Sequence, residues 1–294
     1  MRSIRQNLQF ILGAAVVIAT LIGVSFFVRP QASGGLKVYF FDVGQGDASY
    51  IKMPGGEDVL IDGGPDNKVL DELGKVMDFG DREINLVILS HPHADHLTGL
   101  LEVLKRYKVD EVWETGVEYS SQTYDSWQKE ISAQKIPDKI VKAGDEKNFG
   151  EAKIVVLYPL SPLENLPAGR QVKRIDNLNN ASIINRLDYQ KFSVLFLGDA
   201  ETEVQKKIAP QMRMATVLKT GHHGSRNGTT EEILAVVRPA LAIISAGAKN
   251  TYGHPHAEAL NLLKSYAVRI FRTDQNGTIE VDSDGEGYSV KTFR

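Results

Sequence analysis

Leu86-Val-Ile-Leu-Ser90-His91-Pro92-His93-Ala94-Asp95-His96 decides how this chain reads. The apolar run at 86–89 is a short buried strand by length and composition. Directly after it come three imidazoles and a carboxylate. A loop at the end of a buried strand holds side chains rigidly while leaving them open to solvent. His91 and His93, two apart, can face one metal ion from extended backbone. Asp95 and His96 follow as the chain turns into a helix, and can face a second ion about 3.5–4 Å from the first.

The other histidines fall into two further clusters, His222-His223 in Thr220-Gly-His-His-Gly-Ser225 and His254-Pro-His256; none of the seven stands elsewhere. Imidazoles gathered beside carboxylates suit zinc and its neighbours. Zero cysteines removes thiolate ligands and disulfides from consideration.

With 294 residues, 42% hydrophobic and 24% charged, the chain can bury a sizeable core. Residues 10–28 carry no charge; as a helix they would span about 28 Å, close to the hydrocarbon thickness of a bilayer. Arg2 and Arg5 precede this run, so the positive-inside tendency sets residues 1–9 in the cytoplasm and the bulk of the chain outside. The expectation is a single-pass cell-membrane protein, with an anchor at 10–28, a linker at 29–35 and one domain at 36–294. A cleaved signal peptide and a buried core helix are the rival readings. Setting residues 1–36 apart leaves 31 basic against 37 acidic residues, a net of −6. That excludes a generally basic DNA-binding face, so nucleic acid would be met only through a local patch.

Within the domain, strands are expected at 36–43, 48–53 and 58–61, then a helix at 67–79, the strand at 86–89, a helix at 98–107, a strand at 111–113 and a helix at 124–134. Further strands are expected at 155–158, 181–187, 192–197, 217–219 and 241–245, with helices at 230–237 and 257–265 and short terminal strands. The polar stretch 161–180, holding Arg170, Lys173 and Arg174, is expected to overhang the pocket. Strand-rich segments followed by strand–helix alternation, occurring twice, imply sheets packed together with helices outside.

His91-x-His93-x-Asp95-His96 is the signature of the metallo-β-lactamase superfamily. Phe41-Asp-Val-Gly-Gln-Gly-Asp47, Leu60-Ile-Asp-Gly-Gly64, Asn179-Asn-Ala-Ser182, Leu197-Gly-Asp-Ala-Glu201, Lys219-Thr-Gly-His-His-Gly-Ser225, Tyr252-Gly-His-Pro-His256 and Arg272-Thr-Asp-Gln-Asn-Gly277 resemble one branch of it. That branch is the hydrolase domain at the C-terminus of ComEC-type competence proteins and its stand-alone relatives. The resemblance implies an α/β fold, a four-layer αββα sandwich over 36–294. It implies two divalent ions, zinc first and manganese as the alternative. His91 and His93 would bind the first ion, Asp95 and His96 the second, and Asp199 would bridge them. One of His222 and His223 would complete the second site, with the other lining the pocket; spacing leaves open which. Asp199 read alone is also an ordinary turn or cap aspartate.

Many members of the wider superfamily supply a third histidine to the first ion. None lies between His96 and His222 here, and the matching segment offers Asn179, Asn180 and Ser182. Asp62 and Asp47 are candidates to orient ligand histidines from behind, each with a plain turn role as the alternative. Asn180, Ser182, Lys219, Ser225, His254 and His256 are candidates for substrate contact, and Asp95, Asp199 and His222 for catalysis.

The expected function is a hydrolase using a metal-activated hydroxide on a phosphodiester, with single-stranded DNA as the resemblance-implied partner. A small-molecule hydrolase (of a lactone, an amide or a phosphoester such as phosphorylcholine) is the second reading. A non-catalytic metal-binding subunit of a DNA-uptake apparatus is the third. Oligomeric state is not legible in the sequence.

Overall fold

Leu36, Val38 and Phe40 of strand β1 (Leu36–Phe40) enter one apolar cluster, while Tyr39 and the adjoining Phe41 enter another. Two apolar sets alternating with period two need a packed layer on each side of the strand. The computed structural model describes residues 35–163 and 177–294 and supplies those layers as two facing sheets with helices on their outer sides.

Strands β2 (Ser49–Lys52), β3 (Asp58–Ile61), β4 (Leu86–Ile88), β5 (Val112–Glu114) and β6 (Asp138–Ile140) continue the first sheet from β1. Strands β7 (Glu146–Phe149), β8 (Ala152–Tyr158), β9 (Ile184–Tyr189), β10 (Phe192–Phe196), β11 (Val217–Lys219), β12 (Leu241–Ile244) and β13 (Arg269–Arg272) form the second. The chain then returns to the first sheet, where β14 (Thr278–Ser283) pairs with β1 and β15 (Tyr288–Phe293) lies at the edge. Each sheet changes partway from antiparallel to parallel pairing. Ile61 lies opposite Ile88 where β3 meets β4, and Phe196 lies opposite Lys219 where β10 meets β11, both in parallel register. Parallel neighbours need crossover connections, and these supply the helices.

Helices α1 (Lys68–Val76), α2 (Ala94–Leu104) and α3 (Gln122–Gln134) cover the first sheet through Val69, Leu73, Leu100 and Trp127. Helices α4 (Thr202–Ile208), α5 (Glu231–Val237) and α6 (Ala257–Ser265) cover the second through Val204, Ile208, Leu234 and Leu263. The layer order is therefore α, β, β, α. Residues Gly35–Arg294 make one compact unit.

Four elements differ from expectation. Helix α2 starts at Ala94, four residues earlier than its apolar spacing suggests, because the extended His93 takes the cap position. That puts Asp95 and His96 on its first turn. Strands β6 and β7 escape a hydrophobicity reading because their sequences, Asp-Lys-Ile and Glu-Lys-Asn-Phe, are largely polar, as suits strands at sheet edges. Helix α4 was likewise not anticipated: it is a seven-residue segment rich in polar side chains. The expected membrane helix at 10–28 and the basic residues Arg170, Lys173 and Arg174 lie outside the described residues. Among the described residues no helix is long and apolar enough to cross a membrane.

Candidate metal centre

The parallel strands of both sheets end at the same place, and the functional side chains stand on the loops that leave them. Strand β3 runs into Asp62, β4 into His91 and His93, β10 into Asp199, β11 into His222 and His223, and β12 into the loop carrying His254. Helix α2 adds Asp95 and His96 at its N-terminus.

Asp199 is the centre of the group. Its Oδ2 lies 3.4 Å from His96 Nε2, 3.5 Å from His223 Nε2, 3.9 Å from His91 Nε2 and 4.0 Å from His222 Nε2. Asp95 Oδ2 is 3.2 Å from His223 Nε2, and His91 Nε2 is 2.9 Å from His93 Nδ1. One ligand atom each from Asp95, His96, Asp199 and His223 falls within 4.8 Å of all the others. His91, His96, Asp199 and His223 are buried, and Asp95 is partly exposed.

The nitrogens are aimed from behind. Asp62, in the left-handed region at φ 60°, accepts from the Ser90 amide at 2.8 Å and the Ser90 hydroxyl at 2.7 Å, and its Oδ2 lies 2.8 Å from His96 Nδ1. Holding the proton on Nδ1 turns the His96 Nε2 lone pair into the cluster. His223 Nδ1 lies 3.1 Å from Asp47 Oδ1 and 3.2 Å from the Ser245 carbonyl. Ser182 Oγ accepts from the Asp199 amide at 2.9 Å and lies 3.3 Å from His91 Nδ1. His222 and His223 are consecutive residues at φ 46° and 53°. Two side-chain-bearing residues in the left-handed region carry strain that surrounding structure must maintain, as is common at functional sites.

The charges are strongly coupled. Burial opposes ionisation of Asp199, yet His223 and His96 beside it hold its carboxyl well below the usual range. Burial likewise opposes charge on His96, but Asp199 and Asp62 raise it well above an ordinary histidine. His223 is raised to about 10 against its own burial, by Asp199 and Asp47. Burial and the neighbouring His96 depress His91. The cluster of carboxylates thus calls for positive charge at its centre.

Sequence expectation and placement differ in instructive ways. Of the adjacent pair, His223 joins the converging group, whereas His222 sits half-buried at its rim with Nδ1 3.2 Å from Glu201 Oε1. Lys219, expected near substrate, is buried between the sheets and donates to Asp47 Oδ2 at 2.7 Å and the Thr220 carbonyl at 3.0 Å. Ser182, expected near substrate, is fully buried behind His91. Asn180 accepts from the Glu201 amide through its side chain and from Tyr158 through its carbonyl; the neighbouring Asn179 is the one that approaches His222, at 3.4 Å. Ser225 is buried and donates to Asn227. His254 borders the group, its ring centroid 5.5 Å from that of His222 and 6.2 Å from that of His223, and His256 lies 4.8 Å beyond it. Burial and the imidazoles around it lower His254 to about 4. Ser90 and Glu201 were not singled out from the sequence. Each directly adjoins a motif residue or shares its motif, and that adjacency is the signal that could have found them.

Residues 41–248 match the metallo-beta-lactamase superfamily, and the chain belongs to it. It is 31% identical over 274 residues to ComE operon protein 3 of Bacillus subtilis, covering 86% of this chain and 34% of that protein. It is 30% identical over 246 residues to Recombination protein 2 of Haemophilus influenzae, covering 82% of this chain and 28% of that protein. The chain spans about a third of the length of these relatives. Among solved structures, CmlA, a diiron beta-hydroxylase from Streptomyces venezuelae, superposes with a TM-score of 0.52 at 16% identity, covering 81% of this chain and 53% of that one. This last likeness is one of fold, and a hydroxylase that shares the fold means the reaction must be argued from residues.

The superfamily fold implies divalent metal ions at this place, and the donor set fits them. His96 Nε2 and Asp199 Oδ1 are buried without a hydrogen-bond partner among the described residues, an arrangement that costs free energy unless something else binds them. Imidazole nitrogens and carboxylate oxygens converging in a largely buried group are the ligand chemistry of zinc, manganese and iron.

Proposed function

We propose that this chain is a metal-dependent hydrolase of phosphodiesters, with single-stranded nucleic acid as its substrate class. The observation that carries the reading is the position of Asp199 Oδ2, within 4.0 Å of one ring nitrogen from each of four imidazoles. His91, His93 and Asp199 would hold one divalent ion; Asp95, His96, His223 and Asp199 would hold the other, zinc in the first instance and manganese as the alternative. Such ions, when bound, neutralise a phosphate and lower the pKa of a water toward neutrality.

The chain's own residues do the rest. Asp62 and Asp47 keep His96 and His223 in the tautomer that offers Nε2. Asp95, partly exposed at the start of α2, is placed to orient the attacking water. His222, half-buried at the rim with Nδ1 beside Glu201 and Nε2 toward the cluster, would donate a proton to the leaving oxygen. The names of the relatives, one a recombination protein, support nucleic acid as substrate. The net charge of −6 outside residues 1–36 favours the second reading, a small phosphoester, lactone or amide. We further propose that residues 10–28 anchor the chain, with the hydrolase domain outside the membrane; a C-terminal reporter active only in the cytoplasm would overturn this topology.

The test is hydrolysis by the full chain in zinc or manganese, comparing a single-stranded oligonucleotide, a small activated phosphodiester and a lactone. The oligonucleotide is expected to be cut, and Asp199→Ala to reduce that rate by at least about 10³-fold, ~4 kcal/mol of transition-state stabilisation. Cleavage that survives Asp199→Ala, or turnover of the lactone alone, would sink the phosphodiester reading.

A further inference from the structure

Tyr252 is 67% exposed, one of few large apolar side chains so open to solvent among the described residues, and it adjoins the candidate centre through His254. Its ring stacks on His254, with centroids 5.7 Å apart and planes at 23°. His254 in turn meets His222 and His256 edge-on at 5.5 and 4.8 Å. A continuous series of rings therefore runs from the cluster out to Tyr252. The loop beneath is stiff. Asn250 donates from Nδ2 to the Gly247 and His254 carbonyls, both at 2.7 Å, and its Oδ1 accepts from the Tyr252 and His254 amides at 3.2 and 3.0 Å. One side chain thus ties down four backbone groups and holds an aromatic face out in water.

A second tyrosine adjoins the first histidine cluster. Tyr119, half-buried, meets the His93 ring edge-on at 6.0 Å and is backed by Tyr124 at 6.4 Å. Tyrosine rings therefore adjoin the group at His93 and, through His254, at His222. An exposed aromatic costs hydration unless a ligand covers it, and a flat face held rigidly loses little entropy on binding. A ligand with a phosphate at its centre and flat rings beside it would use both tyrosines. Resting on the phosphodiester reading above, we propose that Tyr252 and Tyr119 are nucleobase-stacking residues, one on each side of the scissile phosphate. They would select single strands, because a base within a duplex cannot leave its neighbours to stack on protein without the cost of unpairing.

The test is equilibrium binding of the full, metal-loaded chain to labelled oligothymidylate and to an abasic oligomer of equal length, both with nuclease-resistant phosphorothioate links. The wild type is expected to bind the thymidylate more tightly. Tyr252→Ala and Tyr119→Ala should each weaken thymidylate binding by about 5- to 150-fold with little change for the abasic oligomer, and Tyr252→Phe should restore it. Equal affinity of the wild type for the two oligomers, or equal losses for both in the alanine variants, overturns the proposal. Failure of the hydrolase reading shows separately, as a native-linkage oligonucleotide left uncut, while the affinity ratio still decides base stacking.

Discussion

His222 and His223 are neighbours in the chain with the same side chain, yet they occupy different environments. His223 is buried, with Asp47 and Ser245 behind it and Asp95 and Asp199 before it. His222 is turned toward Glu201 and Asn179. His223→Ala is therefore expected to lose one of two bound ions, whereas His222→Ala keeps both and loses turnover; metal content by mass spectrometry separates the two. Asp62→Ala should weaken metal binding by about 10- to 100-fold through the released His96 ring, read by titration against a zinc indicator. At this scale the sequence showed which residues gather but not how they divide the work. Nothing in a His-His dipeptide tells which ring faces inward, since two successive left-handed residues set that. Lys219 was more legible than it first looked. Val217 lies in the inter-sheet cluster, so period two puts Lys219 on the same buried face.

Elements explain how the converging side chains are held to a fixed geometry. Helix α2 lies so close to the loop after β3 that a Cβ on Gly99 would come within 1.9 Å of the Gly63 carbonyl oxygen. The Gly63 amide donates to the His96 carbonyl at 2.8 Å and the Gly99 amide to the Gly64 carbonyl at 3.0 Å. This contact sets the height of Asp95 and His96 against Asp62. Gly99→Ala is expected to cost about 1–3 kcal/mol of stability, seen as a lower urea midpoint at unchanged slope, and to weaken metal binding with it. The Lys219–Asp47 pair ties β11 of one sheet to the loop after β1 of the other. Lys219→Met leaves the buried Asp47 with His223 as its remaining charged neighbour, and should destabilise by about 3 kcal/mol. Strand and helix types were readable from apolar periodicity where both faces are buried. Edge strands β6 and β7 were not, because an edge tolerates polar residues.

For the whole molecule, the important fact is that the converging side chains come from both sheets. His91, His93, Asp95 and His96 belong to the first half of the chain, and Asp199 and His223 to the second. The centre lies where the two meet, at the carboxyl ends of parallel strands, where α/β folds generally place ligands. Ions bound across that junction would stabilise the folded state by linkage, by about 2.7 kcal/mol at a hundredfold excess over the dissociation constant. A chelator should accordingly lower the melting temperature of the wild type and leave Asp199→Ala nearly unmoved. The αββα order was legible from the twofold recurrence of strand-rich and alternating segments, and the motif resemblance pointed to the loops that converge here. Long-range partnerships such as Asp47 with Lys219 depend on how the two sheets face each other, which local sequence does not record.

The most direct test of the central claim is the number of divalent ions bound per full chain at saturating zinc and at saturating manganese. Two ions per wild-type chain, falling below one in Asp199→Ala, is the result this account predicts. Fewer than one ion per wild-type chain in either metal, or two retained by Asp199→Ala, would contradict it.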